Sequence, residues 1–262
     1  MLTEKLAAEW RNAGLNEGDI VLIHSSLKRT FLRFEEEEET LDVQKILDSF
    51  FLAVGKSGTL LLPLFNFDFS SKGTPFDIRN TPSQMGSLTN TARLMEGAVR
   101  TGHPIYSFAV LGAQKEKFAG IDNFSGYGAD SPFAVLRKLD GKIASLNLMD
   151  QNSMTFYHHV EEMHQVDYRY MKEFTADYTD WDGNTEERTY GLFVRNVEKG
   201  VLTHVNPCGE LMWEAGLYSG CRPDQGCGMR VISANAMFDF VSDIIESGKA
   251  RGILYRLEGD DE

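Results

Sequence analysis

The chain has 262 residues, of which 42% are apolar and 25% are charged, proportions typical of globular proteins and unlike those of disordered or fibrous chains. Its formal net charge of −13 repels phosphate backbones, so we expect no nucleic acid partner and a modest preference for cationic small molecules. No stretch approaches the roughly 18 apolar residues of a membrane-spanning helix, and the amphipathic N-terminus has no apolar signal core. The three cysteines, Cys208, Cys221 and Cys227, lack metal-ligand spacing and are typical of reduced thiols. We therefore expect a cytoplasmic protein with a single domain over residues 1–262.

Helices and strands alternate along the chain. The first predicted elements are a helix over 3–13, a strand over 19–24, a helix over 40–54, a strand over 59–65, a helix over 82–96, a strand over 107–112, a short helix capped by Ser131 and a strand over 142–148. A helix over 154–165, strands over 187–197 and 200–205, and a last helix between Ser233 and Gly248 follow. The segments at 19–24 and 59–65 are nearly continuous apolar runs, which indicates strands buried on both faces. Strands separated by helices predict an α/β fold, with a mainly parallel sheet and helices on both faces.

A run of five glutamates, Glu35 to Glu39, comes directly before the predicted helix at Thr40. Runs of like charge are most often solvated surface, and the positive N-terminal end of a helix favours nearby acids. The alternative is an acidic rim that attracts a cationic ligand.

The segment TFYHHVEEMH, from Thr155 to His164, holds the densest group of titratable side chains. On a helix, His158 shares a face with Glu161 and Glu162, so a carboxylate can hold one imidazole nitrogen while the other nitrogen accepts a proton. A zinc site of His158, Glu161 and His164 is a competing interpretation, but the H-E-x-x-H order is absent and the two histidines are six residues apart. A third interpretation is an acidic surface helix with solvated histidines.

Small polar residues lie next to several predicted strands. The segment HSSL at 24–27 follows the first apolar run, Asp68 follows the second, and His103 precedes the strand that begins at Ser107. In an open α/β sheet, ligands bind at the carboxyl ends of the strands, where small residues let backbone N–H groups approach a phosphate. These residues are expected to converge on one edge of the sheet, unless each belongs to an ordinary strand-to-loop turn.

Five segments, in this order and at these approximate spacings, resemble the aminoglycoside 3-N-acetyltransferase family, the antibiotic N-acetyltransferases. They are GDIVLIHSSL at 18–27, GTLLLPLFNFD at 58–68, GAVRTGHPIYSFAVLGA at 97–113, SPFAVLRKLDGKIASLNL at 131–148 and MTFYHHVEE at 154–162. The resemblance is good over residues 1 to about 165 and loose beyond them. It implies a single α/β domain without a metal, acetyl-coenzyme A as the acyl donor, and direct acetyl transfer to an amine.

The resemblance also implies roles for individual residues. It makes His158 the general base and Glu161 its carboxylate partner, and it places Thr155 in the same pocket. It makes Asp68 an acceptor-binding or supporting carboxylate. The coenzyme A site is implied to include Ser25, Ser26, Leu27, Ser107 and Phe108, with His103 in a structural or cofactor-side role.

The sequence departs from the family pattern in two places. The usual R-S-x-H-P reads R-T-G-H-P at 100–104, and the usual Asn before Thr155 is Met154. Local hydrogen bonding is expected to differ there. The segment from 68 to 100 is also shorter than in the antibiotic-modifying members.

The resulting hypothesis is an acetyl-coenzyme A-dependent N-acetyltransferase for an amino sugar, with the 3-amino group of an aminoglycoside antibiotic as the favoured acceptor. The short segment keeps an alternative open, a biosynthetic enzyme that acetylates a nucleotide-linked amino sugar for surface polysaccharide. Lys28, Arg29 and Arg33 are placed to meet phosphates of the coenzyme or of such a sugar. Two further alternatives are an acyl-enzyme on Cys208, which is close in sequence to His204, and a non-enzymatic amino-sugar-binding protein. The oligomeric state is left open, a homodimer included.

Overall fold

The computed structural model describes residues 2–36 and 40–260. Its helices are α1 (Leu2–Asn12), α2 (Lys28–Glu36), α3 (Val43–Val54), α4 (Asp68–Lys72), α5 (Ser87–Leu94), α6 (Pro132–Lys138), α7 (Phe156–Met163), α8 (Asn206–Glu214) and α9 (Ala234–Glu246). Its strands are β1 (Ile20–Ser25), β2 (Thr59–Pro63), β3 (Phe76–Asp77), β4 (Val99–Arg100), β5 (Phe108–Gly112), β6 (Lys142–Leu146), β7 (Arg169–Thr179), β8 (Thr185–Arg195), β9 (Val201–Thr203), β10 (Ser219–Gly220), β11 (Met229–Ser233) and β12 (Tyr255–Leu257). Most of the glutamate run, from Glu37 to Glu39, lies outside the described residues, so its prediction stays untested.

A central sheet has the strand order β10-β11-β6-β1-β2-β5-β4. The pairs β6–β1 and β1–β2 are parallel, and the other described pairs of this sheet are antiparallel. The predicted α/β class is confirmed, but the expectation of a mainly parallel sheet is wrong. The helical crossover α2–α3 makes β1 and β2 parallel, whereas the long connection over residues 64–107 brings β5 back along β2 in the opposite direction.

Helices cover both faces of the sheet, as predicted. Successive residues of β1 alternate between two apolar clusters, with Val21 and Ile23 in one and Ile20 and Leu22 in the other. The first cluster includes α1, α3 and α5, and the second includes α6 to α9 together with apolar residues of β7 and β8. Burial on both faces explains why the central strands read as continuous apolar runs.

The strands β7 and β8 form a long antiparallel hairpin outside the central sheet. The ladder runs from the pair Arg169 and Arg195 to the pair Thr179 and Thr185. Only β8 is anticipated by the sequence, because most residues of β7 are exposed and show no apolar alternation. This hairpin contributes one wall of the site described below.

Several helix boundaries follow the predicted capping residues. Ser131 and Ser233 accept hydrogen bonds from the first turns of α6 and α9, and Gly248 follows α9 at φ 71°. The helix expected from Thr40 begins at Val43, because the Asp42 carboxylate accepts from a backbone N–H of its first turn. Helix α5 is shorter than the predicted span 82–96, and α2 is not anticipated. Within residues 2–36 and 40–260, no helix is both long and apolar enough to cross a membrane.

Candidate active site

His158 lies in the first turn of α7 with its side chain 20% exposed. Its Nδ1 atom is 2.9 Å from Oε2 of Glu161, since residues three apart meet on one face of a helix. An ionised carboxylate only accepts hydrogen bonds, so Nδ1 carries the proton and donates it. The imidazole Nε2 is then the basic nitrogen.

The buried carboxylate of Glu161 contacts both His158 and Arg169. The Nε atom of Arg169, on β7, lies 2.7 Å from Oε2 of Glu161. A second nitrogen of the same guanidinium, an Nη, donates to the carbonyl of Phe193. Burial opposes ionisation, but Arg169 and His158 outweigh it, and the pKa of Glu161 is lowered below its ordinary value of 4.5. Glu161 is therefore an anion at neutral pH, held in place from the hairpin as well as from α7.

The electrostatic surroundings favour the neutral form of His158. Burial lowers the pKa of its imidazole, the Arg169 charge lowers it further, and Glu161 opposes both effects. The net result is a pKa below the ordinary value of 6.5. His158 is thus free to accept a proton at neutral pH.

Two cavities meet at His158. The loop cavity, of about 280 Å³, is lined by residues from the ends of β1 and β2 and from the loop before α7, including His24, Phe65 and Thr155. The hairpin cavity, of about 350 Å³, is lined by β7 and β8 and by Tyr127. Tyr106, His158 and Thr203 belong to both linings. A group bound in either cavity therefore comes close to the same imidazole.

A third cavity, the α2 cavity, has a volume of about 720 Å³. Its lining consists of Ser26, Lys28, Arg29, Leu32, Asn147, Met149 and the loop residues 222–225. It lies where the chain passes from β1 into α2, so the backbone N–H groups of a helix N-terminus and cationic side chains meet there. Asn147 joins its walls, since Nδ2 donates to the carbonyl of Ser26 at 2.8 Å. Met149 lines this cavity and the next residue, Asp150, lines the loop cavity.

A buried ion pair lies beneath the loop cavity. Asp150 accepts from Arg230 at 2.7 Å and from the hydroxyls of Tyr157 and Tyr218 at 2.8 and 2.7 Å. Burial and the Arg230 charge lower the pKa of His24 to about 3, so His24 is neutral. Sequence reasoning missed Asp150 and Arg230, because no local motif joins residues 80 positions apart.

Of the residues predicted to bind coenzyme A, only Ser26 lines one of the three cavities. Ser26 lines the α2 cavity, Ser25 ends β1, and Leu27 packs against the apolar cluster beneath α1 and α3. Ser107 and Phe108 are fully buried and line none of the three cavities. The Ser107 hydroxyl is instead engaged by the guanidinium of Arg100, at 3.2 Å.

Two further predicted residues, His103 and Asp68, line none of the three cavities. His103 is fully buried, and its Nδ1 accepts from the backbone N–H groups of Ile105 and Tyr106. Burial lowers the pKa of His103 to about 4, so it is a neutral support for the loop that carries Tyr106. Asp68 begins α4 and pairs with Lys72 at 2.9 Å, outside the linings of the three cavities.

The geometry disfavours two competing interpretations, a zinc site at His158, Glu161 and His164 and an acyl-enzyme on Cys208. His164 donates to or accepts from Ser242 at 2.8 Å rather than meeting Glu161, and no group of three or more potential ligands is placed to hold a metal in the described part of the chain. Cys208 is fully buried, and burial raises the pKa of its thiol to about 12, which disfavours a nucleophilic thiolate.

Comparisons with known proteins show that the fold is shared with solved structures. The structure resembles AAC-IIIb in a binary complex with CoASH, with a TM-score of 0.76 and 22% identity, over 94% of this chain and 96% of that one. It also resembles a histidine-to-alanine mutant of aminoglycoside acetyltransferase AAC(3)-IVa in complex with a gentamicin, with a TM-score of 0.72 and 20% identity, over 93% and 87% of the two chains. The YokD protein from Bacillus subtilis matches with a TM-score of 0.71 and 18% identity, over 93% and 98%. The family model for aminoglycoside 3-N-acetyltransferase matches residues 22–246, and the chain therefore belongs to this family of acetyl-coenzyme A-dependent N-acetyltransferases.

Proposed function

We propose that the protein transfers an acetyl group from acetyl-coenzyme A directly to an amine of an amino sugar, with His158 as the general base. The observation that carries this proposal is the pairing of His158 with Glu161 at 2.9 Å, at the junction of two cavities. A base in that position reaches both a thioester in one cavity and an amine in the other. We place the reaction in the cytoplasm, where acetyl-coenzyme A is available.

His158 acts on the proton of the attacking amine. As the amine nitrogen forms its bond to the acetyl carbon, Nε2 of His158 accepts the amine proton, and Glu161 stabilises the imidazolium that results. The carbon–sulfur bond then breaks, and the proton passes to the departing thiolate of coenzyme A. Arg169 keeps Glu161 ionised and oriented during these steps. No acyl-enzyme is needed, in keeping with the buried thiol of Cys208.

The donor is assigned to the α2 cavity and the loop cavity. Phosphates of coenzyme A suit the α2 cavity, because Lys28 and Arg29 line it and the N-terminus of α2 adds backbone N–H groups. From there the pantetheine arm would pass Met149 into the loop cavity, towards Thr155 and His158. In this proposal Ser26 contacts the donor, whereas Ser25, Leu27, His103, Ser107 and Phe108 shape the surrounding loops.

The acceptor is assigned to the hairpin cavity. The family description supports the 3-amino group of an aminoglycoside as the acceptor, and a related structure holds a gentamicin. The alternative is a nucleotide-linked amino sugar, and the cations Lys172 and Arg195 in the lining favour it. Asp68 would support the acceptor side only indirectly, because it pairs with Lys72.

A screen of amines with acetyl-coenzyme A tests the proposal. Free thiol and the mass of the product are followed together, and we expect one thiol released for each amine acetylated. Thiol release without an acetylated amine would identify a hydrolase, and a stable acetyl adduct on the protein would identify an acyl-enzyme. Amine binding without thiol release would identify a binding protein.

A further inference from the structure

We propose that the acceptor carries an acidic group, a phosphate or a carboxylate, and that Lys172 and Arg195 bind this group in the hairpin cavity. The inference rests on the proposed function, because it takes His158 as the base and the hairpin cavity as the acceptor side. It names a substrate class and two residues that determine specificity.

The first argument is the charge of the hairpin cavity. Arg169, Lys172 and Arg195 line it, and no aspartate or glutamate of the described residues does. This is unusual in a chain whose formal charge is −13. An amino sugar with several ammonium groups would meet like charges here, whereas a singly aminated sugar with an acidic group would meet opposite ones.

The second argument is the register of the hairpin. Arg169 lies directly opposite Arg195 in the β7–β8 ladder, and like charges in that relation destabilise a pair of strands. Glu161 neutralises Arg169. Arg195 has no ion pair with any residue the structure describes, and Lys172 has only the ring of Phe174, at 5.4 Å, as a charge partner. Among the described residues, these two cations therefore have no anionic partner.

The third argument separates these cations from the donor. Coenzyme A has its phosphates at the end remote from its thioester, and the α2 cavity already offers Lys28, Arg29 and Arg222 for them. His158 lies between the loop cavity and the hairpin cavity. The cations of the hairpin cavity are thus on the far side of the base, where the acceptor is expected.

The lining also suits the sugar ring itself. Tyr170 and Phe174 stand on the same strand as Lys172, two residues before and after it, and side chains two apart share one face of a strand. Their flat apolar surfaces can contact a sugar ring while Lys172 binds its acidic group. The hairpin cavity is therefore built for an amphiphilic anion rather than for a polycation.

Steady-state kinetics with a matched series of acceptors tests the inference. The series is glucosamine, glucosamine 6-phosphate, muramic acid, UDP-linked glucosamine and gentamicin, each with saturating acetyl-coenzyme A. We expect kcat/KM to be at least about tenfold higher for an acidic member than for glucosamine, the usual effect of one hydrogen bond to a charged group. The two phosphate compounds and the carboxylate compound distinguish which acid is recognised.

Charge-removal variants identify the residues responsible. In the double variant Lys172→Gln, Arg195→Gln, KM for the acidic acceptor should rise about 10-fold to 100-fold, with KM for acetyl-coenzyme A unchanged. The exposed Lys56, in the turn before β2, gives the control Lys56→Gln, which should behave like the wild type. Thermal unfolding of each variant verifies that the fold is retained.

Three results would overturn the inference. One is a kcat/KM for gentamicin or glucosamine equal to or above that for every acidic acceptor. Another is an unchanged KM for the acidic acceptor in the double variant, and the third is a rise in KM for acetyl-coenzyme A instead, which would assign these cations to the donor. If no amine releases thiol, the proposed function itself fails, and that outcome is distinct from the other three.

Discussion

The loop cavity and the hairpin cavity meet at His158, but they are built in different ways. The loop cavity is formed by strand ends of the central sheet, and its acid Asp150 is fully engaged by Arg230 and two tyrosines. The hairpin cavity is formed by strands outside that sheet, and its cations Lys172 and Arg195 are exposed. From this difference we expect that changes near the first cavity alter the stability of the fold, whereas changes in the second alter the choice of substrate.

The largest expected effect is at the residue that both cavities share. Replacing His158 by Asn removes the base with little change of shape, and kcat should fall about 10²- to 10⁴-fold, the usual contribution of a general base. Binding of coenzyme A, measured by calorimetry, should change little. The matched control is His164→Asn at the end of α7, which should retain most of its activity. Near-normal turnover in His158→Asn would refute the assignment of the base.

Replacement of the buried acid Asp150 should show that the lining of the loop cavity contributes to the stability of the fold. Asp150→Asn leaves Arg230 buried without its anion, and the free energy of unfolding should fall by about 3–5 kcal/mol. Thermal unfolding should then occur roughly 6–20 °C lower. Lys172→Gln, at the hairpin cavity, should change the free energy of unfolding by less than about 0.5 kcal/mol. Equal losses in the two variants would remove the contrast between the cavities.

The pH dependence of the rate should distinguish the opposite effects of Glu161 and Arg169 on the pKa of His158. Glu161 raises the pKa of His158 and Arg169 lowers it. Because the pKa of His158 is lowered from its ordinary value, we expect the acid limb of kcat/KM below pH 6.5 in the native enzyme. It should move to lower pH in Glu161→Gln and to higher pH in Arg169→Gln. We expect Glu161→Gln also to lose about tenfold in rate, since the imidazolium formed on His158 would no longer have a charged hydrogen-bond partner. Shifts in the same direction in both variants would show that the pairing at His158 is misassigned.

The smallest expected effect concerns the donor side. Lys28 is exposed at the edge of the α2 cavity, and loss of one exposed charge contact is worth at most about 1 kcal/mol. Lys28→Gln should accordingly raise KM for acetyl-coenzyme A by about fivefold or less, with no change in KM for the amine. Lys172→Gln should show the converse. The opposite pattern in the pair would mean that donor and acceptor are exchanged between the cavities.

The parts of the fold that rest on continuous apolar runs and on capping residues were predictable from the sequence. The segments at β1 and β2 are buried on both faces, and Ser131 and Ser233 cap helices as expected. The antiparallel direction of β5 was not predictable, because an apolar strand reads alike in either direction. Helix α2 was missed since its sequence, KRTFLRFEE, has few apolar residues and follows no favourable N-cap.

The candidate site also combines contacts that were predictable from the sequence with contacts that were not. His158 and Glu161 lie within one turn of the same helix, so their pairing follows from local spacing. Arg169 comes from β7, whose exposed residues carry no periodic signal, and Asp150 finds Arg230 only through the sheet. Tertiary contacts of this kind depend on the topology, and a single sequence does not reveal them.

The exposed cations of the hairpin make binding of the acceptor sensitive to ionic strength. Added salt screens exposed charges over about 8 Å at physiological concentration, so it should weaken the attraction of Lys172 and Arg195 for an acidic acceptor. Arg169 is buried against Glu161, and a buried pair is screened much less. A moderately saline solution would therefore recruit the acceptor less readily while leaving the carboxylate partner of His158 in place.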